Sequence, residues 1–206
     1  MQWIAHRAAN DPTSVAPALA LADGAELDVH LLRGRLEVRH SKALWPLRVY
    51  WERGEGILAD ERPADLASIL AATPDGAHLW FDLKAFTPRV THRVLDAVGE
   101  RVRLTMSSRS WWILRPARRR GGIRTFRSIG SRLQLWVALR CRHPHGVGIP
   151  DRFATPSTIE RLRARSSAIA VWGVRDDERV GQLFDLGVDV LIVDDLDLIR
   201  ARRSDD

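Results

Sequence analysis

Residues 169–195 read IAVWGVRDDERVGQLFDLGVDVLIVDD, and their pattern gives the clearest indication of the overall architecture. Its first part, Ile169–Val174, has the length and the apolar composition of a buried strand. Asp176 then precedes an amphipathic segment that stops at Gly187, as expected for a helix with an acidic N-cap and a glycine at its C-terminus. A second apolar run, Asp189–Val193, follows at once. The stretch therefore predicts a strand, a helix and another strand, which is the repeating unit of parallel α/β proteins.

The same alternation runs along the rest of the chain. The eight strand candidates are Trp3–His6, Ala25–Val29, Leu79–Leu83, Val102–Met106, Gly122–Phe126, Gln134–Leu139, Ile169–Val174 and Asp189–Val193. Amphipathic segments lie between most of them, although helices are poorly marked in residues 108–133. Eight strands that alternate with helices predict a closed (β/α)8 (TIM) barrel, and the length suits one compact domain over residues 1–206. An open, doubly wound sheet is the alternative arrangement.

Composition excludes several classes of protein. The chain has 206 residues, of which 45% are hydrophobic. Because it has no apolar run of 18 residues, no membrane-spanning helix is expected. The hydrophobic fraction also makes a disordered chain unexpected. The single cysteine, Cys141, excludes an internal disulfide framework. No secretory signal is visible before the first strand, which makes the cytoplasm the expected location. The net charge is +6, and Lys42 and Lys84 are the only lysines among 32 basic residues.

The second predicted strand carries acids on one face. Strand side chains alternate, so Glu26, Asp28 and His30 share a face, while Leu27 and Val29 share the other. Two acids within an apolar strand are costly unless a partner neutralises them, and a hard divalent cation with oxygen ligands is one such partner. A solvent-facing edge strand whose acids point outwards is the alternative interpretation.

The third strand repeats this pattern at its carboxyl end, where Asp82 and Lys84 share a face. Catalytic groups of barrel enzymes gather at that end. Asp82 is therefore a candidate third carboxylate ligand, and the Lys84 ammonium is suited to a phosphate oxygen. A simple ion pair at the end of a strand is the alternative.

Two histidines and an arginine are placed to reach the same end of the barrel. His6 and Arg7 end the first strand, and His40 follows the extended run at residues 35–39. Histidine exchanges protons near neutral pH, and arginine clamps phosphate oxygens. Two histidines that converge with three acids and a lysine form a candidate catalytic site.

These spacings resemble those of the glycerophosphodiester phosphodiesterase family. The matching motifs are His6-Arg7, Glu26-x-Asp28, His40 and Asp82-x-Lys84, together with the closing strand–helix–strand unit at 171–195. The sequence of residues 81–84, Phe-Asp-Leu-Lys, is also similar to that of the sphingomyelinase D branch of the same superfamily. The chain departs from the family at Ala8, which stands where a glycine follows His-Arg, and at Ser41, which stands where an aspartate follows the second histidine. The family's inserted subdomain is absent or reduced to residues 42–62.

The resemblance implies a TIM barrel that hydrolyses glycerophosphodiesters to an alcohol and glycerol phosphate. It implies that Glu26, Asp28 and Asp82 hold Mg²⁺ or Ca²⁺, and that His6 and His40 act as general base and general acid. In the family the attacking group is a neighbouring hydroxyl of the substrate, which gives a cyclic phosphate that is then hydrolysed. Substrate contacts are expected from Arg7, from Lys84 and from Trp172, whose alternative role is core packing.

A basic cluster over Arg115–Arg132 supports a different class of function. Its arginines follow Trp111 and Trp112, a composition that suits an anionic membrane surface or a nucleic acid. No nucleic-acid-binding motif accompanies the cluster, so no specific nucleic-acid partner is expected, and a solvated helix face is a further interpretation. The second candidate function is a catalytically impaired barrel that binds anionic lipid or nucleic acid through this cluster. The sequence does not indicate an oligomeric state.

Overall fold

The computed structural model describes residues 1–44, 49–52, 55–58, 63–143 and 145–204. The strands are β1 (Gln2–Ala5), β2 (Gly24–Leu32), β3 (Arg35–Val38), β4 (Lys42–Leu44), β5 (Val49–Glu52), β6 (Glu55–Leu58), β7 (Ala64–Asp65), β8 (His78–Leu83), β9 (Arg103–Ser108), β10 (Arg124–Ser128), β11 (Val147–Pro150), β12 (Ile169–Val174) and β13 (Val190–Val193). The α-helices are α1 (Pro12–Leu21), α2 (Leu66–Ala72), α3 (Arg89–Val98), α4 (Arg115–Arg120), α5 (Arg132–Ala138), α6 (Pro156–Arg163), α7 (Asp177–Asp185) and α8 (Leu196–Ser204). Short 3-10 turns lie at Ala8–Asn10, Trp111–Leu114 and Asp151–Phe153.

Eight of these strands close into a parallel barrel, in the order β1-β2-β8-β9-β10-β11-β12-β13. Closure occurs at β1, which pairs with β13 from Gln2↔Val190 to Ala5↔Val193 and with β2 at Ile4↔Gly24 and Ala5↔Ala25. The expected TIM barrel is therefore confirmed, and the open doubly wound sheet is wrong.

The chain between β2 and α2 adds the antiparallel strands. The second half of β2 continues beyond the barrel and pairs with β3, which pairs in turn with β7. Strands β4, β5 and β6 form a separate antiparallel sheet of three strands. The insertion at residues 42–62 is thus reduced to a small sheet, as expected.

Apolar side chains fill both the inside and the outside of the barrel. The interior cluster is small and contains Ile4, Trp80, Phe126 and Ile192, with the rings of Trp80 and Phe126 at a centroid distance of 4.5 Å. Two larger clusters lie where the strands pack against the surrounding helices. Because aromatic rings fill the interior, the barrel is a packed core rather than a pore.

Capping residues set where helices begin in the second half of the chain. Thr155 Oγ1 accepts a hydrogen bond from Thr158 N at 3.3 Å at the start of α6. Asp176 Oδ1 accepts one from Arg179 N at 2.8 Å at the start of α7, as the sequence predicts. No helix in the described part of the chain has the length and apolar character needed to cross a bilayer.

One predicted strand is wrong, because residues 134–139 belong to helix α5 and its C-cap. Ser131 caps this helix by accepting a hydrogen bond from Gln134 N at 3.2 Å, and Leu133 and Trp136 are exposed instead of lying in the barrel. The sixth barrel strand is β11, a short segment with the sequence VGIP. A glycine and a proline within four residues are more typical of a turn, so the sequence pattern did not indicate a strand there.

The predicted strand at Gly122–Phe126 is displaced by two residues, since β10 covers Arg124–Ser128. Gly121 and Gly122 have positive φ angles of 73° and 68° and form the turn that separates α4 from β10. A positive φ angle is disfavoured for residues other than glycine, which explains the two glycines at this turn.

Candidate active site

Three carboxylates converge at the carboxyl end of neighbouring barrel strands. Glu26 and Asp28 lie on β2, and Asp82 lies on β8 directly opposite Asp28 in the strand register. One oxygen of each carboxylate lies within 4.8 Å of the others. Glu26 and Asp28 are buried, and Asp82 is half-buried. The arrangement excludes the solvent-facing edge strand considered above.

Lys84 provides a positive charge to this cluster. Its Nζ lies 2.9 Å from Asp28 Oδ1 and also pairs with Asp82. Although burial alone would lower the pKa of Lys84, the carboxylates of Asp82, Asp28 and Glu26 raise it above its usual value. The ammonium therefore stays protonated and offsets one of the three negative charges.

The pKa values of the two acids on β2 shift in opposite directions. Burial raises the pKa of Glu26 well above its usual value, and repulsion from Asp28 and Asp82 adds to that effect. Burial acts on Asp28 in the same direction, but the Lys84 ammonium and the amide of Asn10 outweigh it and lower the pKa. Asn10 Nδ2 donates to Asp28 Oδ2 at 3.0 Å. The charged form of Asp28 is thus favoured, whereas that of Glu26 is disfavoured.

His6 follows β1 and is held by a carboxylate from the other end of the chain. Its Nδ1 donates to Asp194 Oδ1 at 2.6 Å, just after β13. The other ring nitrogen, Nε2, lies 4.0 Å from Glu26 Oε2. Because Nδ1 keeps its proton in the hydrogen bond to Asp194, Nε2 is the ring nitrogen available for proton transfer in the cavity.

Arg7 joins the acids to the second histidine. Its backbone is in the left-handed region with φ at 54°, and its N–H donates to Glu26 Oε2 at 2.8 Å. Its guanidinium Nη2 donates to His40 Nε2 at 2.6 Å, so this nitrogen of His40 carries no proton. A non-glycine residue in this conformation stores strain, which is typical of functional sites.

These side chains line one cavity of about 90 Å³ at the mouth of the barrel. The predicted residues that line it are His6, Arg7, Glu26, His40, Asp82, Lys84 and Trp172, whereas Asp28 lies behind them. Trp172 is half-buried, and it also packs against the interior cluster of the barrel. The structure therefore brings all eight predicted residues into one region.

Sequence reasoning missed one charged residue of the cavity. Arg109 comes directly after β9 and lines the cavity, with its Cζ 5.8 Å from the ring centroid of Trp172. Its position at the carboxyl end of a barrel strand was the available signal. Ser107, also at the end of β9, donates to Asp82 Oδ1 at 2.9 Å and accepts from Trp80 Nε1 at 3.0 Å. This chain of hydrogen bonds orients the Asp82 carboxylate.

The donor set suits a hard divalent cation. Carboxylate oxygens are the ligands that Mg²⁺ and Ca²⁺ prefer, and three of them from two strands can occupy one side of an ion. Burial, together with repulsion from Asp28 and Asp82, raises the pKa of Glu26, so its charged form is unfavourable without a further cation. A bound cation would relieve that repulsion, so the residues present fit a metal.

Comparison with solved structures identifies the same fold elsewhere. Residues covering 98% of this chain and 97% of a Thermotoga maritima glycerophosphodiester phosphodiesterase superpose with a TM-score of 0.73 at 21% identity. An Oleispira antarctica phosphodiesterase in complex with the product sn-glycerol-3-phosphate gives a TM-score of 0.72 at 18% identity, with 99% and 97% covered. A protein from Agrobacterium tumefaciens described as a glycerophosphoryl diester phosphodiesterase gives 0.74 at 17% identity, with 100% and 98% covered.

No protein-family model matches the chain, and no curated protein matches it in sequence. The identities to the solved structures are low, so this likeness establishes the fold over the whole chain. What the chain does has to be argued from its own cavity.

Proposed function

We propose that this protein is a divalent-metal-dependent phosphodiesterase that hydrolyses glycerophosphodiesters to an alcohol and glycerol phosphate. The observation that carries the proposal is the convergence of Glu26, Asp28 and Asp82 within 4.8 Å, at the mouth of a barrel that also presents two histidines there. The shared fold with glycerophosphodiester phosphodiesterases supports the same reaction class.

Charge neutralisation is the first task of such a site, because a phosphodiester is an anion that repels nucleophiles. Glu26, Asp28 and Asp82 would hold Mg²⁺ or Ca²⁺, which acts as a Lewis acid on a phosphate oxygen when bound. Arg7 and Lys84 supply fixed positive charge beside the acids and orient the phosphate. Among the described residues Arg7 Nε makes no hydrogen bond, and it lies 3.8 Å from Asp28 Oδ2, so this edge of the guanidinium faces the acids.

Proton transfer is the second task, and it falls to His6 and His40. Asp194 fixes the tautomer of His6, so its Nε2 is available to accept a proton from an attacking hydroxyl or to return one to the leaving oxygen. His40 would exchange a proton on the opposite side of the phosphate. It becomes available once the Arg7 guanidinium turns from His40 Nε2 to the phosphate. General acid–base catalysis of this kind contributes roughly 10²–10⁴-fold in rate.

Turnover of glycerophosphoethanolamine, followed by phosphorus NMR with Mg²⁺ or Ca²⁺ and with a chelator, tests the proposal. We expect chelator-sensitive formation of glycerol phosphate. His6→Ala and His40→Ala should each lower kcat by roughly 10²–10⁴-fold without a change in folded content by circular dichroism.

The matched control is His92→Ala, which removes an exposed histidine from α3 and should leave the rate unchanged. Chelator-insensitive turnover, or rates near wild type in both active-site variants, would contradict the proposal. A resonance from a cyclic phosphate would identify a neighbouring hydroxyl of the substrate as the attacking group.

A further inference from the structure

Large apolar side chains are exposed around the mouth of the barrel. Phe86 follows β8 and is 85% exposed, Trp112 follows β9 and is 51% exposed, and Leu133, in the first turn of α5 after β10, is 71% exposed. The segments that follow adjacent parallel strands begin at the same end of a barrel, so these three residues lie at the end where the cavity opens. We call them the apolar rim.

Hydrogen bonds fix the backbone that presents the apolar rim. The side chain of Gln134 accepts from Gly130 N at 2.7 Å and donates to Arg109 O at 3.1 Å, which ties α5 to the segment after β9. Trp111 Nε1 donates to Ser128 O at 2.9 Å and so turns this indole inwards. Trp112, its neighbour, is left facing outwards. These hydrogen bonds hold the segments that carry the rim, so its apolar side chains are exposed in the folded protein.

The part of the chain that carries most of the apolar rim is also strongly basic. Residues 101–150 contain twelve arginines and no aspartate, glutamate or lysine, so this segment carries +12 and the remaining residues carry −6. Arg115 and Arg132, the first residues of α4 and α5, lie next to the rim in sequence. Arg109 follows β9 and lines the cavity itself. The rim is thus flanked by positive charge.

We propose that the apolar rim docks on the surface of an anionic phospholipid bilayer. Tryptophan and leucine side chains bury their apolar parts at the boundary between headgroups and acyl chains, and neighbouring arginines pair with anionic headgroups. A nucleic acid would use the arginines but would leave Leu133 and Phe86 in water. Docking in this orientation turns the cavity towards the bilayer. The docking itself does not depend on the proposed function, whereas any supply of substrate from the bilayer to the cavity does.

Sedimentation with lipid vesicles tests the docking directly and needs no turnover. We expect the protein to bind vesicles made of phosphatidylglycerol and phosphatidylcholine in equal parts, to bind phosphatidylcholine vesicles much less, and to lose binding in high salt. The double variant Trp112→Ser with Leu133→Ser should lower the partition coefficient by about tenfold or more, because it removes two interfacial anchors.

The matched control is Phe184→Ser, which removes an exposed side chain from the last turn of α7, at the opposite end of the barrel, and should bind as wild type does. Equal binding by the double variant and the wild type would overturn the proposal, as would the absence of binding to the anionic vesicles. Retention of an RNA or DNA oligonucleotide in place of vesicles would assign the arginines to nucleic acid and overturn it too. None of these results bears on the phosphodiesterase activity.

Discussion

At the scale of single residues, the strain at Arg7 shows how the sequence and the site are connected. Arg7 has the left-handed backbone that glycine adopts more readily, and this conformation aims its N–H at Glu26 and its guanidinium at His40. One residue thereby links the acids to the second histidine. The motif His6-Arg7 indicated that both side chains would reach the mouth of the barrel, but the backbone conformation could not be inferred from the two residue types.

The position of Arg109 predicts which alcohol groups the cavity accepts. Its guanidinium covers the ring of Trp172, the surface on which a quaternary ammonium would otherwise bind. Gly130 makes room for it, since a Cβ at that position would lie 2.9 Å from Arg109 Nε. We expect wild-type protein to prefer glycerophosphoglycerol to glycerophosphocholine. Arg109→Gln should shift the ratio of the two kcat/KM values towards choline by about tenfold.

The control for this prediction is Arg161→Gln, which removes the same charge from the exposed face of α6. Both variants should unfold at a temperature close to that of the wild type. A ratio that does not change in Arg109→Gln would show that Arg109 has no part in selecting the alcohol.

A buried histidine predicts how stability depends on pH. Burial and the nearby Arg103 and Arg124 lower the pKa of His78 to about 4, against the opposing charge of Asp23. His78 therefore becomes protonated at a lower pH in the folded chain than in the unfolded chain, where its pKa is 6.5. Its contribution to the free energy of unfolding is complete above the unfolded value and is lost as the pH falls towards 4, by up to about 3 kcal/mol.

Urea unfolding of wild type and His78→Gln between neutral pH and about pH 5 measures this effect. His78→Gln should show a flatter decline, although part of the slope will remain because burial also lowers the pKa of His30 to about 4. Parallel declines in the two proteins would show that His78 does not titrate in this range.

At the scale of elements, most of the barrel could be predicted because its strands are apolar and its helices are capped. The unit from Ile169 to Val193 and the strand that carries Glu26 and Asp28 follow their patterns directly. Strand β11 could not be predicted, because Gly148 and Pro150 are typical of turns and only the neighbouring strands stabilise it. The sequence of α5 predicts a strand rather than a helix, because Leu133 and Trp136 face water and no continuous apolar stripe marks a helix on a core.

Close packing between β10 and the start of β11 predicts a cost for a small substitution. A Cβ at Gly146 would lie 2.5 Å from Cε1 of Phe126, a fully buried ring that packs against Trp80. Gly146→Ala should lower the free energy of unfolding by about 1–3 kcal/mol, since overpacking a rigid core forces neighbours to move. Chemical denaturation measures the loss, and Gly148→Ala, whose nearest contact would be 3.9 Å, is the matched control. Equal effects would contradict the packing argument.

At the scale of the whole molecule, charge is divided unevenly around the barrel. The segment at residues 101–150 carries +12, and the rest of the chain carries −6. Like charges in one segment repel each other in the folded state, and this repulsion opposes folding. Its effect is visible at Arg127, where burial and the neighbouring Arg118 lower the pKa. A concentration of arginine that costs stability is more readily explained by an anionic partner than by folding.

Removing one of these charges should therefore stabilise the protein. Arg118→Gln relieves the repulsion on Arg127 and should raise the free energy of unfolding by about 0.5 kcal/mol at low ionic strength. The gain should shrink in high salt, because salt screens charges separated by more than a few ångströms. Arg161→Gln, outside the basic segment, should give no such gain. A gain from Arg118→Gln that is equal at both salt concentrations would mean that packing or helix propensity, and not repulsion, limits stability in this part of the barrel.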